Sequence, residues 1–348
     1  MKQLGYLLVL LGAILCSFQP AYAQSDQPLA LVMTADGPII PAMQDYIHRG
    51  IQTAEQRNAE ALIIQLNTPG GDIGTMLNII KEIRASNVPV VIYVAPRNAI
   101  AGSAGALITM AGHFSAMAPE TSIGASIPIN GSGQNLDSDL RAKQIHITET
   151  AIQPYVEPRG KEALALANSM IEQGHAATAK DALKVGLIDF IATDTNDLLK
   201  QLDKRTVTTA DGAHTLHTTN TQSQPLDMSL IEQLLLFISD SNIVFILLSL
   251  GILALQIELS HPGAWVPGFV GVVCLSLAFY GIGLLHTQPF GFIFIVTAFL
   301  LFILDIKAPT HGALTAAGVG SFIIGALVLF NTPATPQFQR VSVPLVVG

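Results

Sequence analysis

The chain has 348 residues and a formal charge of −8; half of the residues are hydrophobic and only 12% are charged. A mean hydropathy of +0.49 is too apolar for an ordinary soluble protein and points to membrane spans, while the acidic balance and the lack of a basic run argue against a nucleic-acid partner. The two cysteines, Cys16 and Cys274, both sit in apolar stretches, which argues against a disulfide framework or a cysteine metal site.

Residues 1–23 read as a secretory signal peptide. Lys2 supplies the positive end, Leu7 to Phe18 the apolar region, and Ala21-Tyr22-Ala23 a small-x-small cleavage site. Cys16 is not in a good lipobox, because Ile14 and Leu15 precede it. A soluble domain is expected over 24–202. Within it "LALVMT" (29–34), "ALIIQLNT" (61–68) and "PVVIYVA" (89–95) read as strands. Helices are expected from Pro41 to about Glu55 and from Gly74 to Ala85. This alternation predicts a parallel sheet covered by helices, with ligands at the carboxyl ends of its strands. Residues 203–227, rich in Thr, Gln, Ser, Asn and Asp, read as a polar linker, with Asp227 capping a helix that begins near Met228. A membrane domain is expected over 228–348. Its first segment, 228–238, lies along the interface, and spans follow near 242–259, 264–285, 289–306 and 312–331. With the soluble domain outside, Lys307 falls on the cytoplasmic side.

Two loops that follow strands draw attention. Pro69-Gly70-Gly71 gives a tight turn with bare backbone N–H groups. It is either a plain strand-to-helix turn or an oxyanion hole. The segment from Ala99 to Ser126 is mostly Ala, Gly, Ser and Met. Within it, Ser103 sits at the start of a helix running to about Met110. Its small neighbours either let two backbones pass closely or leave the serine within reach of a substrate carbonyl. Ser122 and Ser126 are the competing serines. A nucleophilic serine needs a base. The early histidines are His48, His113, His146 and His175. His113 lies at the far end of the same helix and points away from Ser103, while His146 reads as a surface residue. Lys143, forty residues beyond the serine, is a further candidate with Arg141 nearby; a lysine acts as a base where burial or positive neighbours favour its neutral form.

"LNTPGGDIGTM", "AGSAGALITMAGH", "MAPETSIGAS" and "DALKVGLIDFIA", followed by the apolar "HPGAWVPGFVGVV", together resemble the NfeD family of membrane-bound proteases, in the Clp protease and signal-peptide peptidase superfamily. The resemblance covers about residues 28–340. It implies a Clp-like (crotonase) α/β domain followed by an all-α multi-span membrane domain. It further implies a Ser/Lys dyad, with Ser103 as nucleophile, Lys143 as base, and the backbone N–H groups of Gly71 and Ala104 as oxyanion donors. The base is selected by its spacing from the serine and by the turn Pro158-Arg159-Gly160-Lys161 after it. The related Clp peptidase has a histidine about twenty-five residues after its serine; here that stretch is "SIPINGS". Pro154 and Pro158 interrupt a region that is more continuously helical in relatives, which leaves Lys161 as a substitute. Long family members end in a small OB-type β-barrel, for which the sequence offers no matching segment.

The resulting expectation is an exported, membrane-anchored serine endopeptidase without cofactor, metal or nucleotide. Its protease domain lies on the extracytoplasmic side. Implied partners are a stomatin-like (SPFH) membrane protein, a protein or peptide substrate with a hydrophobic segment, the lipid bilayer and further copies of the chain. The main alternative is an inactive scaffold that organises a stomatin-type assembly. An acyl-CoA enzyme of the crotonase type is disfavoured by the signal and the membrane domain.

Overall fold

The computed structural model describes residues 28–128, 138–263, 265–285, 287–308, 310–331 and 340–347. The expected signal at 1–23 lies outside the described residues.

The chain opens with β1 (Leu29–Asp36), α1 (Pro41–Gln56), β2 (Ala61–Asn67), α2 (Ile73–Ala85) and β3 (Val90–Val94). Next come β4 (Ile100–Gly102), α3 (Ala104–Ala111), β5 (Phe114–Met117), β6 (Ser122–Gly124), α4 (Ser138–Val156) and α5 (Lys161–Glu172). The α/β region ends with β7 (Ala176–Thr178), α6 (Ala179–Lys184), β8 (Phe190–Ile191), α7 (Thr195–Leu202), β9 (Thr206–Thr209), β10 (Gly212–Thr215) and β11 (Gln222–Pro225). Six strands form one sheet in the order β11-β1-β2-β3-β5-β8, and every pairing in it is parallel. Parallel sheets are covered on both faces, so their strands read as continuous apolar runs. Leu62, Ile64 and Leu66 of β2 face one core, shared with α1, α2 and α3. Ala61 and Ile63 face the other, closed by Leu198, Leu199 and Leu202 of α7.

Each helix has a local cause. Pro41 takes the first turn of α1, where its missing N–H costs nothing. Met43, Tyr46, Ile47, Gly50, Ile51 and Ala54 form its buried stripe. Asp72 caps α2 by accepting the Thr75 N–H at 2.6 Å. α3 is buried along its whole length, and this depends on small residues: a Cβ on Gly105 would run into the Thr68 methyl group.

The expected linker at 203–227 is folded. β9 and β10 form a hairpin, Asp203 Oδ1 accepts the N–H groups of Thr218 and Thr219 at 2.9 and 3.1 Å, and β11 extends the main sheet beside β1. The polar composition reflects hairpin and edge strands with solvent-facing side chains, because an edge needs no apolar residue on its open face. The helix cap also differs from expectation. Ser229, not Asp227, caps α8 (Leu230–Phe237) in a reciprocal capping box with Glu232.

Beyond α8 lie α9 (Ser241–Ser260), α10 (Val266–Leu284), α11 (Phe290–Lys307), α12 (Ala313–Phe330) and the short α13 (Val343–Val347). α9 to α12 are long and apolar enough to cross a membrane, with mean hydropathies of 1.9 to 2.3. They pair as two hairpins. In each hairpin, a carboxylate in the last turn of the first helix reaches the start of the second. Glu258 accepts the N–H groups of Gly263 and Gly268, and Asp305 accepts the hydroxyls of Thr310 and Thr315.

Candidate active site

Ser103 sits on the turn from β4 into α3, with φ +49° and ψ −115°. A positive φ is uncommon for a residue with a Cβ and costs on the order of 1–3 kcal/mol. Such a sharp strand-to-helix turn presents a hydroxyl outward, because the chain reverses around it. The turn is held by the Ser103 N–H, which donates to Gly124 O at 2.9 Å, and by the Gly102 N–H, which donates to Thr68 O at 2.9 Å. Ser103 Oγ makes no capping bond to α3.

The loop after β2 lies against this turn. Gly70 has φ +114°, and a Cβ there would overlap Ser103 Cβ. Gly71 forms a parallel bridge with Ile39. The bridging bonds are Ile39 N–H to Gly70 O at 2.8 Å and Asp72 N–H to Ile39 O at 2.9 Å. They use the groups on either side of Gly71, so its own N–H is directed away from Ile39. The glycine is required there, since a Cβ on Gly71 would strike the Ile39 carbonyl. The small residues of this region therefore serve both purposes: backbones pass closely, and the serine is left reachable.

A cleft of about 50 Å3 opens at this point, lined by Gly71, Ser103 and Ala104, with Ile73, Met76, Leu107, Ile127 and Pro128 as apolar walls and Ser126 and Thr148 as polar ones. Ala104 is the first residue of α3, where N–H groups have no partner within the helix. Ser126, one competing serine, is buried and donates to the Ser103 carbonyl at 3.1 Å. Ser122, the other, lies in β6 and does not line the cleft.

Among the described residues, none that lines the cleft is ionisable. Lys143 stands exposed on α4, and the structure does not bring it to Ser103. The α4 residue in the cleft wall is Thr148, five positions on, about 7.5 Å along the helix axis. Arg141, on the same helix, donates to Glu172 O at 3.0 Å. Lys161 is exposed at the start of α5 and is likewise away from the cleft. The turn before it is tied down by Arg159, which donates to Asp189 Oδ1 at 2.9 Å and to Ser115 Oγ at 3.2 Å.

None of the described histidines lines the cleft. His48, His146 and His175 are exposed. His113 is buried at the far end of α3, where its Nδ1 accepts the Val90 N–H at 3.1 Å. Its Nε2 finds no hydrogen-bond partner among the described residues. Burial, with smaller contributions from the charges of Arg84 and His214, pushes its pKa down to about 4. Thr148 is a cleft residue that sequence reasoning did not single out, and Ser126, named there only as a competing nucleophile, forms part of the cleft wall. The only signal for them is proximity to Lys143 and to the small-residue segment. No group of three or more His, Cys, Asp or Glu side chains able to hold a metal occurs among the described residues.

The comparisons with known proteins agree with this architecture. Residues 35–210 match the family described as NfeD1b, N-terminal domain, and residues 242–348 match the NfeD integral membrane domain. The membrane-bound protease PH1510 of Pyrococcus horikoshii is 39% identical over 307 residues, which cover 87% of this chain and 69% of that protein. Two solved structures are variants of the membrane-bound stomatin-specific protease 1510-N. One carries a lysine-to-alanine substitution and a bound substrate peptide; it superposes with a TM-score of 0.56 at 34% identity, covering 61% of this chain and 98% of that one. The other carries a serine-to-alanine substitution and gives a TM-score of 0.54 at 36% identity, over 58% and 99% of the two chains. The α/β region is thus a protease-type domain joined to a multi-pass membrane region, and the chain belongs to the NfeD family.

Proposed function

We propose that this protein is a serine endopeptidase anchored in the membrane, with Ser103 as its nucleophile. The observation that carries the reading is the positive-φ turn at Ser103, whose hydroxyl makes no capping bond and which lines one cleft with Gly71 and Ala104, the residues whose N–H groups are the proposed oxyanion donors. Ser103 Oγ attacks the peptide carbonyl carbon and passes its proton to the base. The carbonyl oxygen becomes an oxyanion held by the two N–H groups. Collapse breaks the C–N bond, the base returns the proton to the leaving amine, and water then hydrolyses the acyl-enzyme.

Lys143 is the proposed base. In the two solved relatives the substituted serine and lysine lie about forty residues apart, as do Ser103 and Lys143. α4 already reaches the cleft through Thr148, so Lys143 must come inward along that helix when substrate binds. The apolar walls, Met76, Leu107 and Ile127 among them, suit an apolar peptide segment. A stomatin-like membrane protein is the proposed partner and substrate, as for the relative described as stomatin-specific. The signal reading of residues 1–23 and the position of Lys307 support an extracytoplasmic protease domain.

The test is cleavage of an apolar peptide by the full-length protein in detergent. Lys143→Arg is expected to be inactive although it keeps the charge, because arginine does not deprotonate in proteins. Retained activity in that variant, with Lys161→Arg inactive instead, would move the base to Lys161.

A further inference from the structure

The protease domain is joined to its first membrane span by a continuous run of hydrogen bonds. β11 lies along β1, and the Leu226 N–H then donates to Val32 O at 2.8 Å. Tyr46 OH of α1 donates to Leu226 O at 2.6 Å. Arg49, one turn further along α1, grips the next residues. Its Nη2 donates to Asp227 O at 2.7 Å, and its Nε and Nη2 hold both oxygens of Glu232 at 2.7 Å each. Glu232 Oε2 also accepts the Ser229 N–H at 2.7 Å. Burial alone would raise the pKa of Glu232, but the bonds from Arg49 and Ser229 outweigh it and leave the carboxyl below its usual range. The clamp is therefore ionised at neutral pH.

The run continues into the membrane region. The Asp240 carboxylate caps α9 through the N–H groups of Asn242 and Ile243. Ile238 and Ser241 are buried, and Gly281 of α10 packs against the Ile238 carbonyl. α8 meanwhile exposes Leu230, Ile231, Leu234 and Phe237. This apolar face ends three residues before the first span, so the bilayer surface covers it. The other end of α1 carries the site: Ile39, just before the helix, holds Gly70 and Asp72 on either side of Gly71. About 13 Å of helix separates that contact from Arg49. One rigid element thus touches both the oxyanion loop and the membrane-surface helix.

We propose that Arg49 and Glu232 are positioning residues that fix the height of the Ser103 cleft above the bilayer, so that the protease selects membrane-tethered substrates by the distance of their apolar segment from the membrane. The inference rests on the proteolytic reading of the cleft, and it adds a criterion that the cleft alone does not supply. A free peptide is selected by its side chains, whereas a tethered one must also present them at the right level.

Two measurements on the full chain in nanodiscs test this. Cys16 and Cys274 are replaced by Ala, and spin labels are placed at Lys180→Cys and Val272→Cys. The wild-type background is expected to give one narrow distance, which broadens in Arg49→Ala and in Glu232→Gln. The second measurement uses substrates with one transmembrane anchor, a polyproline spacer of two to twelve residues and a common apolar target, since such a spacer adds a stiff ~3.1 Å per residue. Cleavage should peak at one spacer length by at least tenfold over the extremes. Both variants should flatten the profile to within about twofold and cleave a free apolar peptide at the wild-type rate. A broad distance in the wild-type background, or an unchanged spacer profile in both variants, would overturn the proposal. Absence of free-peptide cleavage with the distance still narrow would instead remove the protease reading, and the ruler with it, while leaving the rigid joint in place.

Discussion

The two ends of α3 carry the polar residues of one short sequence and treat them in opposite ways. At the amino end, Ser103 stands on a positive-φ turn with its hydroxyl making no capping bond, and the cleft opens beside it. At the carboxyl end, His113 is sealed between strands, bonded through Nδ1 to the Val90 N–H and held neutral by burial. Ten residues separate them, yet the helix keeps them apart, so the histidine nearest to the serine in sequence does not reach it. The open end carries strain that chemistry can use; the closed end carries a titratable group whose cost falls on stability.

Ser103→Ala should produce the largest effect. Turnover of an apolar peptide should fall at least about 1,000-fold while the melting temperature holds, because one oxygen is removed among small residues. Activity that survives this change but is lost in Ser126→Ala would break the contrast at its open end.

The sealed end should show itself in pH-dependent stability. His113 has a folded pKa of about 4 against an unfolded value near 6.5. The unfolded chain therefore binds the extra proton first. Stability is full above about pH 6.5 and declines as the pH falls toward 4, by about 3 kcal/mol in total. His113→Asn should flatten that decline in denaturant titrations run across this window. An equally steep decline in the variant would place the titrating group elsewhere.

Gly71→Ala should act between the two. The added methyl meets the Ile39 carbonyl, so the loop must shift, and the N–H group proposed as an oxyanion donor moves with it. A loss of about 100-fold in turnover is expected, with little change in substrate affinity. His146→Ala should give the smallest effect, within about twofold of wild type, because His146 is exposed on α4 and does not line the cleft.

Much of the soluble fold was legible because its strands are buried on both faces. "ALIIQL" and "VVIYV" allow little else than central strands of a parallel sheet. The turn at Ser103 was legible for a related reason: only small residues permit the approach of Gly70, Gly102 and Gly105 to their neighbours. The segment 203–227 misled because edge strands and hairpins bury little, so their polarity resembles that of a linker. The capping box at Ser229 and Glu232 fits a known spacing, but the apolar Met228 next to Asp227 suggests a helix start two residues ahead of the true one. The grip of Arg49 on Glu232 had no local signal at all, since 183 residues separate the partners. The position of Lys143 had a spacing but no geometry, and the exposed side chain on α4 shows how little spacing fixes about reach.

The central claim is that Ser103 is the residue made reactive by this fold. The most direct measurement treats the full-length protein with a fluorophosphonate, from which an activated serine displaces fluoride to form a phosphonate ester, then maps the adduct by peptide mass spectrometry. The account predicts a single adduct on Ser103, absent after prior denaturation and absent in Ser103→Ala. An adduct on Ser122 or Ser126 with Ser103 unmodified would contradict it.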